Sequence, residues 1–551
     1  MARTMAARDT DQRVRELLET FRSADACAAF LLCDRHPADA LAYRIVAQDL
    51  STQVISYGEL REESERFSAA LRSLGIGPGD RVATLMGKSR SYLVALMGIW
   101  RLGAVHVPLF TAFAPPAIAF RLEGSKAKAI ICDAAQEAKL ALGETMPADR
   151  PWLVITTGEG KGGTYAFSSL MAEQQPGVAP VAVGGDSPII HVYTSGTTGN
   201  PKGVIVPLRA LASFQTYAEF GQGLLPSDVF WCAADPGWAY GLYFGILSTF
   251  TTGTPSILFE GGFTQERTLE VLDREKVTNF AAAPTVYRTL RSSGLRPGAL
   301  NLRCATSAGE PLTPEVNEWA KAELGVLVHD HYGQTEAGML INNHHHSAVA
   351  RPIMDGSMGN SMPGWRAVIL EADSDLEAAA GTFGRVAMDL AHSPLAWFNG
   401  YDGDPSRSEE KFTPDGRYYI TGDTGMVDQA GYFHFSARDD DVIIMAGYRI
   451  GPFEVESTIA THPAVAENAV IAVPDAVRGE VIEAFAVLRE GHTASADLEK
   501  ELQQWVKQRF AAHAYPRAIH FVDSMPKTPS GKIQRFVLKQ RRLDEIGEKS
   551  Q

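Results

Sequence analysis

Long apolar runs, paired cysteines and an excess of positive charge are all missing from this sequence of 551 residues. Its longest apolar stretch, Tyr92 to Trp100, ends at Arg101 and is far too short to cross a bilayer. The N-terminus carries Asp9 and Asp11 and no long apolar region, so no secretory signal is expected. The five cysteines show neither metal-ligand nor disulfide spacing, which favours the cytoplasm. A net charge of −14 disfavours nucleic acid as a partner.

The length exceeds what one hydrophobic core usually supports, so two or more domains are expected. Helix-like and strand-like segments alternate from about residue 57 to 390, which predicts α/β layers with substantial parallel sheet. A dense polar break at residues 436–441 then precedes a compact unit. We therefore predict a large N-terminal domain of mixed α/β layers, residues 1–437, and a smaller, mobile α+β C-terminal domain, residues 438–551.

The pattern inside the smaller domain is specific enough to place individual elements. Pro452 suits the first turn of a helix that turns Val455 and Ile459 toward a core. Two strands, a helix and a last strand follow. We predict these at Ala469–Val473 and Ala484–Leu488, then a helix that buries Leu498, Leu502, Trp505 and Phe510, then Ile519–Val522.

The most informative string is Tyr193-Thr-Ser-Gly-Thr-Thr-Gly-Asn-Pro-Lys-Gly203, which follows an apolar run. Its glycines let backbone N–H groups turn inward, and its hydroxyls and lysine add donors for a polyphosphate. It is not a Walker A loop, because Pro201 precedes Lys202 and the β-branched residues 204–206 follow. Taken only as a Gly/Thr-rich turn, the string would fit a plain surface turn equally well.

As a whole, the string resembles the signature loop of the adenylate-forming superfamily. This superfamily includes acyl-CoA synthetases, aryl-CoA ligases, luciferases and peptide-synthetase adenylation domains. Further strings match motifs of the superfamily in the same order along the chain, so the resemblance covers residues 189–535. These strings are Ser307–Pro311, His331–Glu336, Tyr418–Asp423, Gly447–Pro452 and Pro526–Arg535. Residues 447–535, which include Ala476–Glu480, look closest to the acyl-CoA synthetases of the medium-chain and acetyl-CoA synthetase-like branch.

The resemblance implies an ATP and AMP site. Glu336 is implied as the Mg²⁺ ligand, Asp423 and Arg438 as ribose contacts, and Lys532 as the catalytic lysine. Glu336 and Thr194 are also expected to act in catalysis. The remaining nucleotide-binding positions are Ser195, Gly196, Thr197, Thr198, Gly199, Lys202, Gly309, Glu310, Pro311, Tyr332, Gln334 and Thr335. Each motif has a plainer interpretation in isolation: Thr335-Glu336 suits a helix start, Asp423 a turn, and the Lys532 loop a solvated basic tail.

The resemblance also implies where CoA passes and where the small domain turns. Asp440 corresponds to the hinge residue, with minor departures from the family pattern at Ala437 and Asp439. The implied CoA-binding residues are Gly447, Tyr448, Arg449 and Arg478.

The implied acyl pocket is lined by Trp238, Ala239, Tyr240, Ala308 and Gly333. Acetate-specific relatives carry a tryptophan where this sequence has Gly333, and a larger aliphatic residue where it has Ala308. We therefore expect an acid larger than acetate, unless Tyr240 or another aromatic closes the pocket. The tract His344–His346 resembles a metal-binding run, but the sequence has no further metal ligands at a useful spacing from it, so a surface loop is favoured.

The function that follows is an AMP-forming acyl-CoA synthetase, a ligase that uses a small carboxylic acid, ATP, Mg²⁺ and CoA. An acyl-AMP ligase that loads a carrier protein is the nearest alternative, and the motifs do not exclude a luciferase-type oxygenase. A non-catalytic nucleotide sensor is the alternative of another class, although it would need few of Glu336, Asp423, Arg438 and Lys532. The sequence carries no signal for the oligomeric state.

Overall fold

The structure, a computed structural model, describes residues 2–143, 146–147, 150–194, 201–438, 441–445, 448–475, 479–511, 514–527 and 532–549. The α-helices are α1 (Ala2–Arg22), α2 (Tyr57–Ser73), α3 (Arg90–Arg101), α4 (Pro115–Ser125), α5 (Phe167–Ala172), α6 (Leu211–Thr216), α7 (Ser248–Thr252), α8 (Gln265–Arg274), α9 (Pro284–Ser292), α10 (Pro314–Glu323), α11 (Pro405–Glu409), α12 (Pro452–Ala460), α13 (Ala496–Arg509) and α14 (Arg535–Lys549). Shorter 3₁₀ or π-helical segments cover Phe30–Asp34, Ala134–Leu140, Leu208–Ala210, Tyr217–Gly221, Gly241–Leu247 and Leu390–His392.

The strands fall into four sheets. They are β1 (Leu41–Val46), β2 (Thr52–Ser56), β3 (Arg81–Leu85), β4 (Val105–Pro108), β5 (Ala129–Cys132), β6 (Leu153–Thr156), β7 (Tyr165–Ala166), β8 (Pro188–Thr194), β9 (Lys202–Pro207), β10 (Phe230–Cys232), β11 (Ser256–Phe259), β12 (Asn279–Ala282), β13 (Cys304–Ala308), β14 (Val328–Gln334), β15 (Gly338–Asn342), β16 (Asn360–Ser361), β17 (Ala367–Leu370), β18 (Gly384–Asp389), β19 (Tyr418–Val427), β20 (Phe433–Arg438), β21 (Ile443–Met445), β22 (Tyr448–Ile450), β23 (Val465–Asp475), β24 (Gly479–Leu488) and β25 (Ala518–Phe521).

The two largest sheets build most of the N-terminal part, and both are mainly parallel. One has the order β7-β6-β5-β3-β4-β8-β9, with only β8 and β9 antiparallel. The other has the order β16-β15-β14-β13-β12-β10-β11-β1-β2, with antiparallel strands at its two edges. Helices separate consecutive parallel strands, so the predicted α/β layers are confirmed.

Local signals explain individual elements of these layers. Ser56 caps α2 by accepting the Glu59 N–H, while the Glu59 carboxylate accepts the Ser56 N–H, a complete capping box. All residues of β4 are buried, as expected for a central parallel strand covered on both faces.

The C-terminal part has a hydrophobic core of its own, built from residues between Ile443 and Leu538. Its sheet has the order β22-β21-β24-β23, with β25 added beside β24. The large domain and the smaller domain predicted from the sequence are confirmed, while a boundary near residue 437 stays a prediction. Within the described part of the chain, no helix has the length and apolar character needed to cross a membrane.

The helix predicted in the small domain buries a different set of side chains from the expected one. Leu498, Leu502 and Val506 of α13 are buried, whereas Phe510 is 40% exposed. The prediction for Phe510 was wrong, and Trp505 is only half-buried. The Trp505 Nε1 donates to the Thr461 hydroxyl over 2.9 Å, and its ring packs against His462 and the Arg509 guanidinium.

Candidate active site

The site lies where the carboxyl ends of β13 and β14 meet the hairpin of β8 and β9. In that hairpin, Thr194 is paired with Lys202, so the two residues hold the ends of the connecting loop together. Ser195, Gly196, Thr197, Thr198 and Gly199 lie outside the described residues. Parallel pairing of β13 with β14 sets Ala308 opposite His331. Ligands of α/β proteins commonly bind at such strand ends.

Lys202 and Glu336 are far apart in the sequence but share one neighbour, Tyr401. The Lys202 ammonium lies 4.7 Å from the centroid of the Tyr401 ring. The Tyr401 hydroxyl donates to Glu336 Oε1 over 2.8 Å. Glu336 is buried, at 9% exposure, so this hydrogen bond orients a carboxylate that has little contact with solvent. Tyr401 belongs to none of the matched strings, so sequence reasoning missed it.

Asp423 is the centre of a second polar cluster. Its side chain is 4% exposed. Its Oδ2 accepts hydrogen bonds from the Tyr332 hydroxyl and from Gln334 Nε2, the latter over 2.7 Å. Arg438, its partner across β19 and β20, brings Nε to 3.5 Å from Oδ1. Burial raises the pKa of Asp423, and the Arg438 charge opposes that rise.

The side chains around Asp423 are themselves fixed by further contacts. Gln334 Oε1 accepts from the Tyr419 hydroxyl over 2.8 Å, and Gln334 Nε2 also donates to the Thr421 carbonyl over 3.0 Å. These bonds assign the orientation of the Gln334 amide. Thr335 contributes its backbone carbonyl, which accepts from Tyr243 over 3.3 Å. The cluster is therefore held in place by its own hydrogen bonds.

The turn Gly309-Glu310-Pro311 follows β13 and meets the loop that carries Lys532. Gly309 has φ +106°, a conformation that favours glycine. A Cβ built on Gly309 would lie 3.7 Å from Lys532 Cε and 3.9 Å from its Nζ. Arg288 Nη2 lies 2.6 Å from Glu310 Oε2, an ion pair that helps to hold the turn. The structure thus brings the predicted lysine of the small domain to a turn of predicted nucleotide-binding residues in the large one.

Arg535, three positions after Lys532, links the lysine loop to the rest of the small domain. Its guanidinium donates to both carboxylate oxygens of Glu456, over 2.8 and 2.7 Å. Asp441 Oδ2 lies 3.8 Å from its Nη1. Burial lowers the pKa of Arg535, but these carboxylates and the Glu310 charge more than offset that effect, so the pKa is raised. The pairing fixes where the chain after Lys532 continues.

The residues predicted for the acyl pocket lie on both sides of β13. Trp238 is half-buried and packs its ring against Phe110 and Phe113, with centroids 5.2 and 5.7 Å apart. Ala239 and Tyr240 lead into Gly241–Leu247, and Tyr240 packs against Phe244 at 5.9 Å. Ala308 is buried at the end of β13.

Gly333 is closely surrounded by its own protein, rather than bordering open space for the acid. It follows a shift in register between β14 and β15. A Cβ built on it would lie 2.3 Å from the Gly338 carbonyl oxygen and 2.8 Å from Met339 Sδ. The space beside Gly333 is therefore taken by the returning strand and by Met339. These contacts argue against the expectation that glycine at position 333 opens a longer acyl pocket.

The histidine tract is buried at His344 and half-buried at His345 and His346, so the surface loop expected there was wrong. His344 is buried, and His345 stacks on His329 with ring centroids 3.5 Å apart. Burial lowers the pKa of His344 to about 4 and that of His345 well below its usual range. Among the described residues, no group of three or more His, Cys, Asp or Glu side chains is placed to hold a metal ion.

The predicted CoA and hinge residues lie near the junction of the two domains. Tyr448 and Arg449 belong to β22, where their backbones pair with Met445 and Ile444. Asp440, Gly447 and Arg478 lie outside the described residues. The junction itself is tight: a Cβ on Gly451 would lie 2.4 Å from Ser436 Oγ, and Phe435 packs edge-on against Phe453 at 6.1 Å.

Comparisons with known proteins agree with this geometry. Residues 32–390 match the AMP-binding enzyme family, and residues 454–532 match the AMP-binding enzyme C-terminal domain. The chain is 36% identical over 537 residues to the acetyl-coenzyme A synthetase of Bacillus subtilis, covering 93% of this chain and 90% of that protein.

Solved structures give the same result. The crystal structure of a Brucella canis acyl-CoA synthetase is similar with a TM-score of 0.73 and 41% identity, covering 95% of each chain. That of a benzoate CoA ligase from Burkholderia xenovorans LB400 has a TM-score of 0.82 at 29% identity, covering 93% of this chain and 99% of that one. With both parts of the family matched in order along one chain, this protein belongs to the AMP-binding enzyme family.

Proposed function

We propose that this protein is an AMP-forming acyl-CoA synthetase. A carboxylate oxygen of the acid attacks the α-phosphorus of ATP, the bond to the bridging oxygen breaks, and pyrophosphate leaves. The CoA thiolate then attacks the carbonyl carbon of the acyl-AMP, and AMP leaves. The observation that carries the proposal is the approach of Lys532 to the Gly309 turn, with its Nζ 3.9 Å from a Cβ built on Gly309.

The large domain supplies the nucleotide-binding groups. Asp423 is an acceptor held between Tyr332 and Gln334, which suits the paired hydroxyls of a ribose. The turn from Gly309 to Pro311 offers backbone along an adenine ring. Thr194, Lys202 and the loop between them suit the phosphates, because oriented N–H groups and a lysine stabilise polyphosphate charge.

Glu336 fits the role of a magnesium ligand. It is a buried carboxylate oriented by Tyr401. Mg²⁺ in nucleotide sites commonly takes only one or two protein carboxylates, the rest of its ligands being phosphates and water. A single carboxylate is therefore enough here. When bound, Mg²⁺ would neutralise part of the charge of the departing pyrophosphate.

Lys532 is the group that we assign to the chemistry of the first step. Carboxylate and α-phosphate repel each other as they approach, and a cation between them lowers that barrier. The second step has no such encounter of two anions. A rotation of the small domain about Asp440 would withdraw Lys532 and present the strand of Tyr448 and Arg449 to CoA, a hinge motion of a common type.

We also propose that the acid is larger than acetate. The support is Ala308 at the end of β13, a small residue where a larger aliphatic side chain would take up more room. Met339, which fills the space beside Gly333, carries an unbranched thioether, and such a side chain adapts readily to ligands of different shape. The free, buried cysteines, five in all, support a cytoplasmic location.

The test is a pyrophosphate-release screen of the wild-type protein with ATP and Mg²⁺ across acetate, hexanoate, branched acids and benzoate. We expect release that depends on the acid, and thioester and AMP in equal amounts when CoA is present. Absence of release with every acid would contradict the proposal. If a phosphopantetheinylated carrier protein accepts the acyl group and CoA does not, the protein is instead a carrier-loading ligase.

A further inference from the structure

Lys411, which belongs to none of the matched motifs, places its ammonium group at the nucleotide site. It lies between α11 and β19, and its own carbonyl accepts the Ile420 N–H over 2.8 Å. Its Nζ donates to the Thr421 carbonyl over 2.9 Å. A Cβ built on Gly422 would lie 3.4 Å from that Nζ. The ammonium is therefore directly beside the residue that precedes Asp423.

The charge of Lys411 is not neutralised by an ion pair within the described chain. No carboxylate oxygen described there lies within 4.0 Å of its Nζ. The two nearby buried carboxylates have other partners: Asp423 has Tyr332 and Gln334, and Glu336 has Tyr401. The other partners of the Lys411 ammonium are two backbone carbonyls and the Tyr419 ring, whose centroid lies 5.9 Å from its Nζ. A half-buried ammonium without a charged partner is costly, which points to an anion that joins it.

The charges around Lys411 identify its place along a nucleotide. Burial lowers its pKa, while Glu336 and Asp423 act in the opposite direction and Arg438 and Lys202 add to the lowering. Lys411 therefore lies among the carboxylate proposed for ribose, the carboxylate proposed for Mg²⁺ and the lysine of the phosphate loop. The part of ATP that fits between a ribose and a metal-bound pyrophosphate is the α-phosphate.

We propose that Lys411 binds the α-phosphate of the nucleotide and remains in contact with it in ATP, in acyl-AMP and in AMP. This inference rests on the proposed function, because it takes Asp423 as the ribose site. It gives Lys202 and Lys411 separate tasks. Lys202, on the strand that ends the phosphate loop, serves the pyrophosphate that leaves, whereas Lys411 serves the phosphate that stays.

The experiment compares AMP with adenosine, which lacks the phosphate. Affinities are measured by titration calorimetry for wild type, Lys411→Met and Lys411→Arg, with folding checked by thermal melting. Loss of one charged contact should lower the affinity for AMP about tenfold or more in Lys411→Met. The affinity for adenosine should change by less than about twofold. Lys411→Arg, which keeps the charge, should retain most of the AMP affinity.

Equal weakening of AMP and adenosine would overturn the proposal, since Lys411 would then only support the Thr421 carbonyl. Unchanged AMP affinity in folded Lys411→Met would also overturn it. Should that variant fail to fold, Lys411→Gln replaces it in the same comparison. A wild type that binds AMP but activates no acid would refute the proposed function, whereas the phosphate contact is judged by calorimetry alone.

Discussion

The two halves of the site are built in opposite ways. In the large domain, Asp423 is 4% exposed and is held by Tyr332, Gln334 and Arg438. In the small domain, Lys532 is exposed and lies on a loop that reaches across to Gly309. Under the proposed function, the large domain binds the nucleotide with groups that its own hydrogen bonds hold in place. The position of the small domain then determines, in that proposal, whether the reactive cation is present.

The largest effect should come from removing that cation. Lys532→Ala should slow acyl-AMP formation by at least about a hundredfold, or about 3 kcal/mol, because the anionic acid and α-phosphate would meet without it. Thioester formation from supplied acyl-AMP should remain close to that of wild type. The two half-reactions are measured separately, by pyrophosphate exchange and by thioester release.

Lys527→Ala is a matched control for this change. Its ammonium lies in the same loop region but pairs with Glu467 of the small domain. We expect both half-reactions to survive in it. If Lys532→Ala were folded yet lost both half-reactions equally, the lysine would serve the whole cycle, and the division between the two domains would fail.

Low pH should destabilise the large domain through its buried histidines. His191 of β8 is 1% exposed, and burial lowers its pKa to about 4, with Asp402 opposing that effect. The unfolded chain takes up a proton near pH 6.5, whereas the folded protein does not until about pH 4. Stability contributed by neutral His191 is therefore lost progressively as the pH falls from 6.5 toward 4.

This loss amounts to about 2 kcal/mol between pH 6.5 and 5 for one such histidine. His191→Gln should therefore lose less stability on acidification than wild type by about that amount, as measured by guanidinium unfolding followed by tryptophan fluorescence. The exposed His492→Gln serves as the control and should follow wild type. Identical acid dependence of His191→Gln and wild type would show that His191 is already protonated or solvated in the folded protein.

The smallest effect concerns Gly333. Its Cβ position is blocked by the Gly338 carbonyl oxygen at 2.3 Å, so Gly333→Ala should destabilise the protein by about 1 kcal/mol or more. Gly262→Ala, with no atom within 4 Å of its Cβ position, is the control for the loss of glycine flexibility. Thermal melting of both variants is the measurement. An unaffected Gly333→Ala with altered preference between hexanoate and acetate would restore the acyl-pocket interpretation of this residue.

The motif residues could be singled out from the sequence because each motif is a contiguous string, while their roles stay predictions. It predicted Asp423 and Glu336 as site residues, and the structure places Gln334 on Asp423 and Lys532 beside Gly309. Tyr401 and Lys411 were missed, since they reach the site only through tertiary packing. For His344 and Phe510, polarity and helical spacing suggested the wrong surroundings, because burial depends on which elements pack against them.

The claim that the large domain binds the nucleotide while the small domain supplies the reactive cation is tested most directly by AMP affinity. It is measured by calorimetry in two variants, Asp423→Ala and Lys532→Ala. The account predicts that Asp423→Ala lowers the affinity for AMP about tenfold or more, because a buried acceptor is lost and its partners lose their arrangement. Lys532→Ala should stay within about threefold of wild type, although its adenylation is lost. If Lys532→Ala weakened AMP as much as Asp423→Ala, nucleotide binding would belong to both domains and the account would be contradicted.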